Sequence, residues 1–512
     1  MNRHLFFFIL VFISVSCSSI ATLSSYNNCV SPIDFGLLNA NSGEERYNIL
    51  LRTHNYAISN GLYVDYKGID TIFLSIPNNA ESIPLSMNND FSGVVIIAEN
   101  TKQDGFLFSF INKTNAISLS KQEIDKGDFR NRQVFKNDQC LLAITDNNPW
   151  VKNREGYNYG HYRKDILLIK KGRAINSVIM PYNNSYSEPS CKYYTLKIDS
   201  LVFSNIILNR SSNSTYKTFL CDFKGVNNLI IRNVTISTPN NNKENDCAIS
   251  INDCANVFFD DIIINGTYSR PNYSGYGVKM NNVWNFKVKN MYGHGNWGVF
   301  GTNNINTASF EKCDINRFDI HCYGKDIRFE DVKFTGRFNQ FSSVYGTILF
   351  INCKFINFTP IVNGPSYNAY VGYDLVFEDC YYSKNEDVRL IDAGYIDDNI
   401  NLRPELKERC APNVTIKNMV IDTGPSIEDV FLFYFWEKGQ STREISFLDN
   451  ITIDNLEINR QGGKNIKPCV FHISNKQLLV NNEVTRKFKK IEISGKPIMV
   501  NNDNIISIKN SK

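Results

Sequence analysis

Neither sign of charge dominates this chain. Over 512 residues, 55 Lys and Arg face 51 Asp and Glu, leaving a formal net charge of +4. The basic residues are spread rather than clustered, so nothing in the charge pattern calls for a nucleic-acid partner. Long apolar runs are also missing. After the first residues no segment is long and apolar enough to span a bilayer, and Phe431 to Trp436 has only the length of a buried strand. Among 13 cysteines there is no CxxC pair and no Cys/His spacing of the kind that binds zinc. What the chain has in quantity is aromatic side chains and asparagine.

The N-terminus reads as an export signal. Arg3 and His4 form a short basic start, and Leu5 to Val15 is an apolar run too short for a stable transmembrane helix. It ends in Ser14-Val15-Ser16-Cys17-Ser18. Small residues just before a cysteine resemble the bacterial lipobox, in which Cys17 would be lipidated and become the mature N-terminus. An ordinary secretory signal that discards Cys17 is the alternative. The expectation is an exported protein, lipid-anchored in the outer membrane or at the cell surface of a bacterium, meeting the membrane through that anchor only. Export makes disulfides chemically available.

From about residue 200 one short pattern recurs: apolar, two mostly polar residues, apolar, any, apolar. It runs through Phe203-Ser-Asn-Ile206-Ile-Leu208, Ile231-Arg-Asn-Val234-Thr-Ile236 and Phe259-Asp-Asp-Ile262-Ile-Ile264. It returns at Val288, Phe310, Phe329, Phe350, Phe377, Ile416 and Ile453, with a spacing of roughly 20 residues in the tightest stretch, a solenoid period. The alternating apolar residues mark strands with one buried face. The second polar slot is filled by Asn205, Asn233, Asp261, Asn290, Lys312, Asp331, Asn352, Asp379, Asn418 and Asn455. Asn and Asp tolerate the left-handed backbone of a tight bend, and stacked Asn side chains can form a hydrogen-bonded ladder. Cys313, Cys353 and Cys380 occupy equivalent positions of the repeat, which favours stacked interior thiols over disulfides there. A propeller blade or a leucine-rich repeat would need a different framework. The fold class is therefore all-β, a single-stranded right-handed parallel β-helix of the pectate-lyase-like kind.

The chain divides into an export signal (1–17), a tether (18–30), an N-terminal cap with the first coils (31–100), irregular coils with insertions (101–200), regular coils (201–460) and C-terminal coils with a cap (461–512). Within the cap, a helix is expected from about Glu44 to Ser59. It resembles the short amphipathic helix that opens many pectate-lyase-superfamily and phage tailspike β-helices and covers an open sheet edge.

The most unusual text is GHGNWGVFGTNN (293–304), RFDIHCYGKD (317–326) and RFNQFSSVYGT (337–347). It resembles a GHG-x-WG … RFD-x-H arrangement in poorly characterised β-helix proteins, among them phage tail proteins. The resemblance covers about three coils strongly and implies a special surface without naming a substrate. Asp260-Asp261 with Gly293-His294-Gly295 resembles the polygalacturonase signature. However, the aspartates sit in turn slots, and the family's Asn-Thr-Asp and Arg-Ile-Lys elements are missing, so that mechanism is not transferred.

Strand alternation places Phe318, Ile320 and Cys322 inside, with Asp319, His321 and Tyr323 outside. Thr302 and Ser342 would flank His321 on neighbouring coils. His294, Arg317 and Arg337 would come from the corners of three consecutive coils. Trp297, Tyr323, Tyr345 and Tyr367 are candidate stacking surfaces for sugar rings. The bland alternatives are a corner-fixing Arg317–Asp319 salt bridge, a turn-capping His294, and a solvated turn at Lys325 and Asp326.

The function expected is processing of an acidic polysaccharide. A lyase needs a base for the proton α to a uronate carboxylate, for which His321 or Lys325 is the candidate, and a cation, for which Arg317 or Arg337 is the candidate. A hydrolase needs two flanking carboxyl groups, and Asp319 has no evident partner. No motif demands a cofactor or a metal, though Ca²⁺ is a candidate for a lyase. The rivals are a non-catalytic glycan-binding or structural surface protein and a phage-derived adhesin.

Overall fold

The computed structural model describes residues 28–77, 80–99, 105–136, 139–151, 161–185, 187–196, 198–210, 218–238, 247–266, 275–295, 297–336, 338–363, 372–386, 388–395, 413–425, 429–437, 450–460, 467–473 and short strands out to 508. Cys17, Arg337 and Tyr367 lie outside them.

The repeat is realised as a parallel β-helix. The ten residues that open each copy stack in one column: Phe203 pairs with Ile231, Ile231 with Phe259, and so on through Val288, Phe310, Phe329, Phe350, Phe377 and Ile416 to Ile453, always in parallel register. The polar slots form the bend. All ten have positive φ, from 49° at Asn352 to 63° at Asn455. That conformation costs most L-residues about 1–2 kcal/mol, which accounts for the Asn and Asp there. Their side chains bond from coil to coil: Asn233 Nδ2 donates to Asn205 Oδ1 at 2.9 Å, Asn418 to Asp379 at 2.9 Å and Asn455 to Asn418 at 3.1 Å.

The interior is apolar and aromatic. Phe310, Phe329, Phe350 and Phe377 form a continuous pile, with successive centroids 4.9, 4.9 and 5.0 Å apart. Cys313, Cys353 and Cys380 are buried and unbridged.

The helix α1 spans Gly43–Asn60. Ser42 caps it by accepting from the Glu45 amide, and Gly61 ends it at φ 65°. Tyr47, Leu50, His54 and Ala57 recur at helical spacing and face the first coils. Buried His54 bonds through Nδ1 with the Pro84 carbonyl (2.9 Å) and through Nε2 with Tyr66 Oη (2.8 Å).

Burial pushes the His54 imidazole down to about 4, against a smaller opposing effect of the Pro84 hydrogen bond. A folded pKa below the unfolded value means that this stabilisation is complete above about 6.5 and is lost as pH falls toward 4. Denaturant titrations at pH 7 and pH 5 should therefore differ by about 2 kcal/mol, and His54→Gln should shrink that difference.

Residues 101–200 depart from the expected irregular coils. Gly105–Ile111 joins a coil, but the chain then leaves the solenoid. Thr114–Ile117, Cys140–Val151, His161–Lys170, Arg173–Ala174 and Ser190–Thr195 form a separate antiparallel sheet of five strands. The module has its own core around Phe129, Phe135, Leu142 and Ile169. Leu141, Ala143, Ile166, Leu168 and Tyr194 dock it on Ala255 and Trp284 of the coils. Local alternation marks these strands as strands but does not say whether a partner runs parallel or antiparallel.

Among the described residues no helix is long and apolar enough to cross a membrane.

Candidate functional site

The unusual motif folds into one hydrogen-bonded cluster, and most of it is buried. Arg317 is 1% exposed and Asp319 0%. Asp319 therefore does lie outside the coil's apolar core, but it is covered rather than presented on an open stripe. Arg317 Nε donates to Asp319 Oδ1 at 2.7 Å. Its guanidinium is sandwiched between the rings of Trp297 (4.1 Å) and Phe338 (4.0 Å). Gln340 N also donates to Asp319 Oδ1, at 3.1 Å, and Thr302 Oγ1 donates to the Asp319 carbonyl at 2.9 Å. Burial pushes the Asp319 carboxyl up, but Arg317 and then His321 outweigh it and hold the group below the usual carboxylate range. The corner salt bridge is thus the structure's arrangement for Arg317 and Asp319.

The centre of the cluster is a residue the motif does not contain. Tyr276 is 43 residues from Asp319 and crosses the intervening coil, donating to Asp319 Oδ2 at 2.8 Å. Its Oη accepts from Trp297 Nε1 at 3.0 Å and lies 2.6 Å from His321 Nε2. The ring lies over Gly301, where any Cβ would collide with it, and a Cβ at Gly298 would come within 3.2 Å of Arg317. The glycines of the motif therefore clear space for these two side chains. His321 is the cluster's exposed edge, with 17% of its side chain accessible. It is the extra residue of a register shift: Thr302 pairs with Ile320, and Asn303 with Cys322. Thr302 is thus level with Ile320, while Ser342 lies beside the bulge, donating to the Ile320 carbonyl and accepting from the Tyr323 amide.

The other expected residues go elsewhere. His294 Nε2 pairs with Asp314 Oδ1 at 2.9 Å, and Lys333 holds the other carboxylate oxygen of Asp314. Lys325 lies past the bulge and pairs with Asp326 at 3.9 Å. Tyr323 is 1% exposed, with φ 82°, edge-on to half-buried Tyr345, so it offers no sugar platform. One face of Trp297 is already covered by Arg317. Among the described residues no group of three or more His, Cys, Asp or Glu is placed to hold a metal ion.

The antiparallel module creates a second feature, which the sequence did not disclose. Its strand His161–Lys170 stands beside the coils, and Lys164 N donates to Asn304 Oδ1 at 2.8 Å. Between them lies a cleft of about 420 Å³. Its floor is polar and strictly registered: Ser250 pairs with Lys279, and Asn252 with Asn281, which pairs with Asn303. Lys164, His161 and Tyr162 form the module wall. Burial, with Lys192 and Lys224 adding to it, pulls the Lys164 ammonium below its ordinary value against the pull of Asp253. The cleft ends beside the motif cluster: none of the cluster's side chains lines it, but Asn303 of its floor is in register with Cys322, next to the bulged His321. A signal for the floor did exist: Ser250 and Lys279 are polar slots between the buried pairs Ile249/Ile251 and Val278/Met280.

No family of known proteins matches the sequence, and no curated protein does. Solved structures do resemble the fold. The tailspike gp49 from Pseudomonas phage LKA1 matches with a TM-score of 0.52 at 12% identity, over 90% of this chain and 81% of that one. The Gp54 tailspike of Acinetobacter baumannii bacteriophage AP22, solved in complex with A. baumannii capsular saccharide, matches with 0.52 at 11%, over 90% and 76%. The Pseudomonas phage phi297 tailspike gp61 matches with 0.50 at 10%, over 90% and 81%. At such identities the likeness shows the parallel β-helix fold alone.

Proposed function

We propose that this protein is an exported, surface-anchored carbohydrate-active β-helix that cleaves an acidic polysaccharide by β-elimination in the cleft between module and coils. The observation that carries this reading is the registered Ser/Asn/Lys floor, whose Asn303 lies in register beside the bulged His321. Saccharide binding by a tailspike of the same fold supports the class of partner. In this reading Lys279 faces the uronate carboxylate and stabilises the charge that develops on it, while His321 removes the α proton. The C–H electrons form the new C=C bond, the glycosidic C–O bond breaks, and the leaving oxygen takes a proton from solvent. Lys279 is two strand spacings, roughly 10 Å, from Asp319, the buried carboxylate that stands behind His321.

Hydrolysis fits less well. Asp222, buried and with its carboxyl raised chiefly by that burial, is the titratable carboxyl beside the floor. It is four registered strands from Asp319, roughly 19 Å, whereas paired glycosidase carboxyls sit within about 10 Å. The same proposal gives α1 the role of N-terminal cap and Cys17 the lipid. A non-catalytic glycan-binding reading draws on one observation: Arg317 and Asp319 are already paired with each other.

The test is incubation with a panel of acidic and neutral polysaccharides, following ultraviolet absorbance of unsaturated uronates. Acidic glycans should be cleaved. His321→Ala should slow cleavage by about 10²–10⁴-fold, and Lys279→Met should weaken both binding and rate. Binding without cleavage would establish the non-catalytic reading instead.

A further inference from the structure

The hydrogen bonds around Tyr276 fix the position of a proton. Its Oη has three polar neighbours and a single proton. Trp297 Nε1 can only donate, so Oη accepts there. Asp319 is a carboxylate already paired with Arg317, and a carboxylate can only accept. The Tyr276 proton therefore points to Asp319 Oδ2, and it stays on the phenol, because burial and then the Asp319 charge push that group well above its ordinary value. The remaining neighbour, His321 Nε2, lies 2.6 Å from an oxygen whose proton is committed elsewhere. A ring nitrogen at that distance must donate; a lone pair there would face an oxygen lone pair.

We propose that Tyr276 locks His321 in the Nε2–H tautomer, so that Nδ1 carries the lone pair and is the basic nitrogen of this site. Tyr276 is then a positioning residue, acting through His321, and Asp319 orients Tyr276 rather than touching substrate. Trp297 completes the arrangement by filling the second acceptor site of Oη, so that the phenol cannot rotate its proton toward the imidazole without losing a bond. The logic is that of an Asp–His pair bridged by a tyrosine hydroxyl, with His321 Nε2 also facing Asp319 Oδ2 at 3.7 Å, an acceptor that favours a proton on the same nitrogen. It also gives the sequence motif a physical purpose: Gly301 admits the Tyr276 ring, and Arg317 keeps Asp319 ionised. The use of Nδ1 in elimination rests on the function proposed above; the tautomer does not.

The experiment is long-range ¹H–¹⁵N correlation on protein labelled at its 6 histidines, with His321→Gln identifying the signals. At neutral pH the wild-type His321 ring should show one protonated nitrogen, Nε2, and one pyridine-like nitrogen, Nδ1. Tyr276→Phe should convert this to a mixture containing the Nδ1–H form. An Nδ1–H pattern, a tautomer-averaged pattern or a doubly protonated ring in the wild type would each overturn the proposal, as would an unchanged pattern in a folded Tyr276→Phe. If that variant does not fold, the wild-type Nε2 proton decides: it should exchange slowly with solvent and show a nuclear Overhauser contact to the Tyr276 ring, and its absence would sink the idea. A glycan panel without cleavage would remove the lyase reading and leave this tautomer standing. A wrong tautomer would remove this inference even with cleavage intact.

Discussion

Replacing Asp319 with Ala should destabilise the coils around residue 319 by about 3–5 kcal/mol, because it leaves the Arg317 guanidinium charged, 1% exposed and without its carboxylate. The loss extends beyond the pair. Tyr276 loses the acceptor for its proton and Gln340 the acceptor for its amide. Asp319→Asn keeps an acceptor for Tyr276 but not the charge, and should fall between wild type and Asp319→Ala. The double variant Arg317→Met, Asp319→Leu removes both charges and should recover much of the loss, since a buried ion pair replaced by apolar residues of similar volume is often neutral or better. Hydrogen exchange read coil by coil is the suitable measurement. A loss below about 1 kcal/mol in Asp319→Ala would mean that Arg317 finds water or another anion, and the corner would not depend on the pair.

Phe350→Ala should cost about 3–5 kcal/mol as well, for a different reason. Phe350 is 0% exposed and stacks on Phe329 below and Phe377 above, with interplanar angles of 8° and 7°. Removing its ring leaves a gap in the pile, and the coil backbone, hydrogen-bonded on both sides, cannot close around it. Phe350→Leu should recover part of the loss. Because each coil touches mainly its neighbours, the raised hydrogen exchange should concentrate in the coils carrying Phe329, Phe350 and Phe377 and fade beyond them. Exchange raised uniformly from end to end would mean that the solenoid opens as one unit.

The solenoid was legible because its determinants are local. A bend residue such as Asn233 or Asp379 declares its conformation through its own side chain, and the apolar slots on either side fix which face is buried. Even Lys312, the odd member of the series, takes φ 54°. The site was legible only in part. Alternation puts Asp319 off the core face, but what covers it arrives from elsewhere: Tyr276 from two coils back, Trp297 from a corner and Phe338 from the next coil. No local pattern around Asp319 encodes a partner 43 residues away. The bulge at His321 broke the alternation that was to carry Tyr323 outward, and Tyr323 turned in with a left-handed backbone. The cleft was missed because one of its walls belongs to a sheet whose direction the sequence leaves open.

The place where the chain leaves the solenoid is itself informative. Ile111 is in register with Lys224, and Leu201 with Leu229, so the module occupies the position where the next coil has only a short corner near Gly225 and Val226. Asn112 Nδ2 ties the two ends of the excursion together by donating to the Thr195 carbonyl at 3.0 Å. The coils run past it, Asn88–Glu99 pairing in parallel with Leu201–Arg210 across the gap in sequence, with one register shift between Ser204 and Ile206. An element attached in this way is interchangeable: lineages, or a protein engineer, could trade one wall of the cleft for another and alter what the groove accepts, while the scaffold that holds Tyr276 and His321 keeps its geometry.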